Sequence, residues 1–141
     1  MALDERVARR LQIIRENLRH LETLRGLSEP EFLGDFRNVE ATKHLLQVSI
    51  EAMIDVAVHL LASMQERLPE HHAEVFDVLA RHGVVSPERV GTYQKMVAFR
   101  NRVVHLYERV DDRRVREILQ AELADFETFI SEVVSHLDAE A

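Results

Sequence analysis

The chain contains no cysteine. Disulfides, thiolate zinc sites and cysteine nucleophiles are therefore excluded together, and the composition fits a reducing cytoplasm. No stretch approaches the roughly 18 consecutive apolar residues of a membrane span. Asp4, Glu5 and Arg6 put charge where the apolar centre of a signal peptide would begin. The expectation is a cytoplasmic protein with no membrane partner. Strand-like alternation, internal repeats and low-complexity segments are missing as well, which leaves helical spacing as the periodic signal. A net charge of −7 argues against a general binder of nucleic acid and against DNA as a partner, because phosphate neutralisation dominates such affinity.

What is present is apolar and helical. Hydrophobic residues make up 46% of 141 positions, enough for a buried core within one domain over residues 1–141. Asp4 is placed to cap a first helix with Val7, Leu11, Ile14, Leu18, Leu21 and Leu24 on one face, ended by Gly26. Ser28-Glu29-Pro30 predicts a short capped turn before Gly34. A second long helix follows, from about Asp35 to about Met64, apolar over much of its circumference as a central helix should be. Pro69 marks a connection, and a short helix through Val75–Leu79 stops at Gly83. Ser86-Pro87-Glu88-Arg89 offers a capping hydroxyl, an early proline and an acid in the first turn. The helix it starts carries Val90, Tyr93, Met96 and Val97. Beyond it, Asp111 and Asp112 supply caps for a last helix from Val115 to Leu137, whose apolar stripe, Phe126 and Phe129 included, reads as core with a share in a dimer contact. The predicted fold is an all-α, up-and-down bundle of four long helices with one or two short ones.

One stretch gathers chemistry. Arg100, Asn101, His105 and Tyr107 lie within two helical turns among core-type residues. At about 100° and 1.5 Å per residue, Asn101 stacks beneath His105, whereas Arg100 and His105 diverge by roughly 140°. A regular helix does not aim both at one atom. Either the helix loosens near His105, or a second copy completes the site across a symmetric dimer; the dimer is the preferred expectation. Histidine moves protons near its ordinary pKa of about 6.5, and arginine is a permanent planar cation suited to phosphate oxygens. Without a metal, the pair suits cleavage of RNA by its own 2′-hydroxyl, His105 handling the proton and Arg100 the charge on phosphorus. A structural Arg–His pair would use the same residues. Between Lys95 and Arg116 there are seven basic residues against three acidic ones, a local positive field or a solvated face.

Arg100-Asn101, three further residues and then His105, with Leu106-Tyr107 following at once, resembles the Arg-polar-x-x-x-His signature of HEPN domains, most closely the Arg-x-x-x-x-His-x-Tyr form of HepT-like toxins. Ser49–Ala57 with His59-Leu60-Leu61 resembles that family's second long helix, and the likeness runs from about Arg37 to Val134. The resemblance implies the toxin of a type VII-like toxin–antitoxin pair, a homodimeric, metal-independent ribonuclease needing no cofactor. Its substrate would be an RNA, transfer or messenger. Its partner would be a small nucleotidyltransferase antitoxin of the MntA type, which blocks the toxin by transferring AMP to a tyrosine. Carried over by position, Arg100 and His105 would be catalytic, Asn101 would orient His105, and Tyr107 would be the modified residue.

Other polar groups fit around this centre. Glu51, Asp55 and His59, four apart, draw a polar line on a greasy helix. Buried charge needs a partner, so the line is expected to face the motif, with Glu51 or Asp55 holding Arg100 or Arg102. Acid and His also recur four apart at Glu16/His20, Glu40/His44, Asp55/His59 and Glu132/His136. Di-iron bundles use Glu and His three apart, a spacing missing here, so surface pairs are the better reading. A rival to the enzyme remains: a silent helical dimer that scaffolds a nucleotidyltransferase, its Arg100 and His105 making structural pairs.

Overall fold

A computed structural model describes residues 3–105 and 110–140. Seven α-helices are found among them: α1 (Leu3–Arg25), α2 (Glu29–Leu33), α3 (Phe36–Ser63), α4 (Val75–Arg81), α5 (Val90–Val104), α6 (Asp112–Ala121) and α7 (Leu123–Glu140). The fold is all-α, and no strand occurs among the described residues.

The bundle is built around α3. Val7, Leu11, Ile14, Leu18 and Leu21 of α1 are buried, and α1 runs antiparallel along α3. Two polar contacts fix that alignment, Arg10 Nε to Asp55 Oδ2 at 3.2 Å and Asn17 Nδ2 to Ser49 Oγ at 3.1 Å. The remaining faces of α3 meet α2, α4, α5 and α6. By length and hydropathy α3 could cross a bilayer, but Val39, Leu46, Ile50, Met53, Val56, Ala57 and Leu60 are buried against those neighbours. Each such side chain contributes roughly 1.5–3 kcal/mol on burial, which is how a core helix comes to look like a span.

Caps set the helix ends. Ser28 and Glu31 form a reciprocal capping box on α2, and Asp35 and Asp111 accept from the N–H groups of Arg37 and Arg113 at the starts of α3 and α6. Gly34 closes α2 where a Cβ would sit 2.7 Å from the Pro30 carbonyl oxygen, a place only glycine fills without a shift. Gly83, at φ +74°, turns the chain after α4.

Three expectations need correction. Asp4 lies inside α1, which begins at Leu3. Ser86 does not cap α5: its hydroxyl donates to Glu88 Oε2 at 3.2 Å, and the chain enters α5 through a 3₁₀ turn, Pro87–Arg89. The last helix is not continuous either, because Glu122 (φ −119°, ψ 6°) breaks it into α6 and α7. The bend lets α6 reach back to the α1–α2 connection, where Gln120 donates to the Arg25 carbonyl at 3.0 Å and Arg116 to the Leu27 carbonyl at 3.4 Å. α7 meanwhile packs on the start of α5. Phe129 stacks edge-on against Tyr93 and Phe76, with ring centroids 5.4 and 6.0 Å apart.

Candidate active site

Arg100 projects from α5 toward α3, its side chain only 22% exposed. Its Nη2 faces Glu51 Oε2 at 3.7 Å, and its Nη1 donates to Asn101 Oδ1 at 2.9 Å. Nε is buried and lacks a hydrogen-bond partner among the described residues. Glu51 is itself steadied one turn earlier on α3, where Gln47 Nε2 donates to its Oε1 at 3.0 Å. A guanidinium carries five donors; beyond those directed at Glu51 and Asn101, the Arg100 Nη groups make no further hydrogen bond among the described residues.

The helix gives way at the histidine. α5 ends at Val104, and His105 has extended backbone (φ −83°, ψ 112°) while its N–H still reaches the Asn101 carbonyl at 3.1 Å. The loosening weighed against the dimer thus falls on the ψ of His105, after its Cβ has been placed: a near-helical φ and the retained bond to the Asn101 carbonyl keep the His105 side chain close to helical register, roughly 140° from Arg100. His105 is exposed, as are Asn101 and Val104. Tyr107 lies outside the described residues.

The other site residues divide. Of the two acids expected against Arg100 or Arg102, Glu51 stands beside Arg100, whereas Asp55 pairs with Arg10 of α1 at 3.2 Å. One further turn along α3 has carried Asp55 past α5 to the α1 side. Asn101 spends its side-chain carbonyl on Arg100; its link to His105 is through the backbone. Arg102, roughly 200° around the helix from Arg100, faces away from Glu51 into a groove of about 440 Å³ between α3, α5, α6 and α7. Leu46, Ile50, Phe99 and Ile118 contribute to its apolar lining, and Lys95, Arg102, Arg114, Glu122 and Asp125 supply its charges.

The acids once paired on paper with histidines four residues later have other partners. Glu16 accepts from Gln12, Glu40 pairs with Lys43, and Asp55 pairs with Arg10. Glu132 accepts the Tyr93 hydroxyl and, at 2.6 Å, the Ser86 N–H. Burial and the Glu132 carboxylate together push the Tyr93 phenol far above its usual range. Sequence reasoning missed Gln47, although its four-residue spacing to Glu51 was the available signal. It also missed the groove, which forms from three segments distant in sequence. A wider groove of about 690 Å³, lined by Arg15, Arg19, Glu127 and Val134 among others, separates α1 from α7 and shares no residue with the motif.

A helical bundle that braces one arginine and ends its helix at a histidine five residues later defines a class: an all-α domain with an Arg-x4-His centre. The chain belongs to the Ribonuclease HepT-like family, whose pattern it matches over residues 7–133. It is 27% identical over 128 residues to the tRNA nuclease HepT of Aphanizomenon flos-aquae, covering 91% of this chain and 87% of that one. Identity is likewise 27% over 128 residues to the mRNA nuclease HepT of Shewanella oneidensis, covering 91% and 96%. Among solved structures, the tri-AMPylated Shewanella oneidensis HEPN toxin in complex with MNT antitoxin superposes with a TM-score of 0.86 at 26% identity, over 96% of this chain and 99% of that one.

Proposed function

We propose that this chain is the ribonuclease of a toxin–antitoxin pair, acting in the cytoplasm and cutting RNA without a metal through Arg100 and His105. The observation that carries the reading is local: Arg100 is held by Glu51 and Asn101 in the last turns of α5, and His105 stands exposed at the end of the same helix. In this mechanism the 2′-hydroxyl loses its proton as its oxygen attacks the adjacent phosphorus. The bond to the 5′-oxygen breaks, and that oxygen leaves with a proton. The products are a 2′,3′-cyclic phosphate and a 5′-hydroxyl. His105 moves the proton, and the Arg100 guanidinium offsets negative charge on the phosphoryl oxygens. Asn101 acts by orienting Arg100. A homodimer would bring two such motifs to one cleft.

The nuclease names of the relatives and the toxin–antitoxin assembly of the structural neighbour support this reading. By the same likeness, the partner is a nucleotidyltransferase antitoxin that transfers AMP from ATP to the Tyr107 oxygen, with pyrophosphate leaving. A bulky anion two residues past His105 would compete with RNA phosphates for Arg100.

Purified protein and its His105→Ala variant, incubated with cellular RNA in chelator, test the proposal. The expected result is cleavage by the first alone, leaving cyclic phosphate ends, with the variant slower by about 10²–10⁴. Cleavage by neither protein, with the mass of an unmodified chain confirmed, would favour the silent scaffold, for which the Arg100–Glu51 pair is simply structural.

A further inference from the structure

We propose that the groove beside Arg102 is a nucleobase subsite, which receives a base flanking the scissile phosphate and prefers one that carries an exocyclic amino group. The inference rests on the ribonuclease reading and deepens it. Three features of the groove point to this occupant.

The first is charge. Lys95 and Arg102 stand at the groove with no ion pair or side-chain hydrogen bond among the described residues, and Arg114 is engaged only by its neighbour Glu117 at 3.1 Å. Three cations against Glu122 and an Asp125 already paired with Arg89 leave the groove net positive in a chain of net charge −7, a complement to a phosphate backbone. The second is shape. The volume of about 440 Å³ lies in the range of small-ligand sites, and the lining supplied by Ile50, Phe99 and Ile118 suits the flat face of an unstacked base. The third is chemistry. The Glu122 carboxylate, at the break between α6 and α7, lines the groove and makes no side-chain hydrogen bond among the described residues. Asp125, the other acid of the groove, is engaged by Arg89 at 3.4 Å, so Glu122 is the carboxylate left without a partner among the described residues; it matches the amino group of cytosine, adenine or guanine and meets a second acceptor in the 4-oxygen of uracil.

Continuity joins the groove to the motif. Arg102 is three residues before His105, less than one turn and about 4.5 Å along the axis. A strand whose scissile phosphate sits at His105 therefore lays its neighbouring phosphate on Arg102 and drops the attached base into the groove.

The test separates this subsite from the cleavage reaction. Short oligocytidylate and oligouridylate, blocked against cutting by 2′-deoxy sugars, are titrated against the full chain by fluorescence anisotropy, with cleavage of ordinary RNA measured in parallel. The subsite predicts that oligocytidylate binds about tenfold tighter than oligouridylate and that Glu122→Gln reduces the preference to less than about twofold. Arg114→Glu should weaken both by roughly fivefold at unchanged oligomeric mass and circular dichroism. Equal binding of the two oligomers, or a preference that survives Glu122→Gln, overturns the subsite even if RNA is cut. A change in oligomeric mass with Arg114→Glu, in place of a change in RNA affinity, overturns it by assigning the groove to a contact between copies. A cytidylate preference without any cleavage supports the subsite and removes the ribonuclease reading alone.

Discussion

Arg100 illustrates how an arginine is kept useful. Its Nη groups meet Glu51 at 3.7 Å and Asn101 at 2.9 Å, and Gln47 steadies Glu51 from one turn away. The Glu51 side chain is 37% exposed, so the pair adds no more than about 1 kcal/mol to stability; in the proposed mechanism its value lies in aim. Glu51→Ala should consequently lower kcat/KM for RNA by about tenfold while moving the melting temperature by only a few degrees. Asp55→Asn supplies the contrast. Its partner is Arg10 on α1, with both side chains well exposed, so about 0.5 kcal/mol or less is at stake and RNA cleavage should be unchanged. Steady-state kinetics on the two variants checks the division. The sequence placed Glu51 and Asp55 on one line, as the four-residue spacing requires. Which of them meets α5 depends on where two helices cross, and no spacing within α3 records that.

At the scale of elements, the start of α5 is tied to α7 by one carboxylate. Glu132 accepts both the Tyr93 hydroxyl and the Ser86 N–H, and Tyr93 is fully buried between Phe76 and Phe129. Removing that acceptor strands the buried Tyr93 hydroxyl and a half-buried N–H at Ser86, so Glu132→Ala should cost about 1–3 kcal/mol and depress the melting temperature accordingly. Tyr93→Phe should cost less. The phenol also carries a pH signature. Burial and then Glu132 raise its folded pKa above the ordinary value, so the neutral form is favoured in the fold. The associated stability is complete below the ordinary phenol pKa of about 10 and is lost progressively as pH rises from there toward the higher folded value. Denaturant unfolding from pH 8 to 11 should show a steeper alkaline loss for the natural chain than for Tyr93→Phe. Little of this was visible in advance. Glu132 looked like half of a surface pair with His136, because only the contact with Tyr93, 39 residues earlier, reveals its role. The break at Glu122 was hidden for a related reason: the apolar spacing from Val115 to Val133 continues across it, and the bend arises from where α6 and α7 must pack.

For the whole molecule, the open matter is how many chains make one catalytic centre. Helical periodicity was enough to read the all-α bundle, though not the caps at Asp4 and Ser86 or the break at Glu122, because each long helix buries a face visible in its own sequence; an assembly leaves no comparable periodic mark. His105 keeps its helical bond to the Asn101 carbonyl, so its side chain starts about 140° from Arg100 on the same chain, while exposed Val104 beside it leaves apolar surface at the same end of α5. A symmetric dimer that draws arginine from one copy and histidine from the other makes a distinctive prediction. Arg100→Ala and His105→Ala chains are each inactive alone. When they are unfolded together and refolded as a mixture, half the dimers pair unlike chains, and each of these holds one intact centre of two, so about a quarter of the natural rate returns. If arginine and histidine act within one chain, every mixed dimer carries two damaged centres and the mixture stays silent. Cleavage assayed across mixing ratios should therefore peak at equal proportions, with the mixed species confirmed by native mass spectrometry.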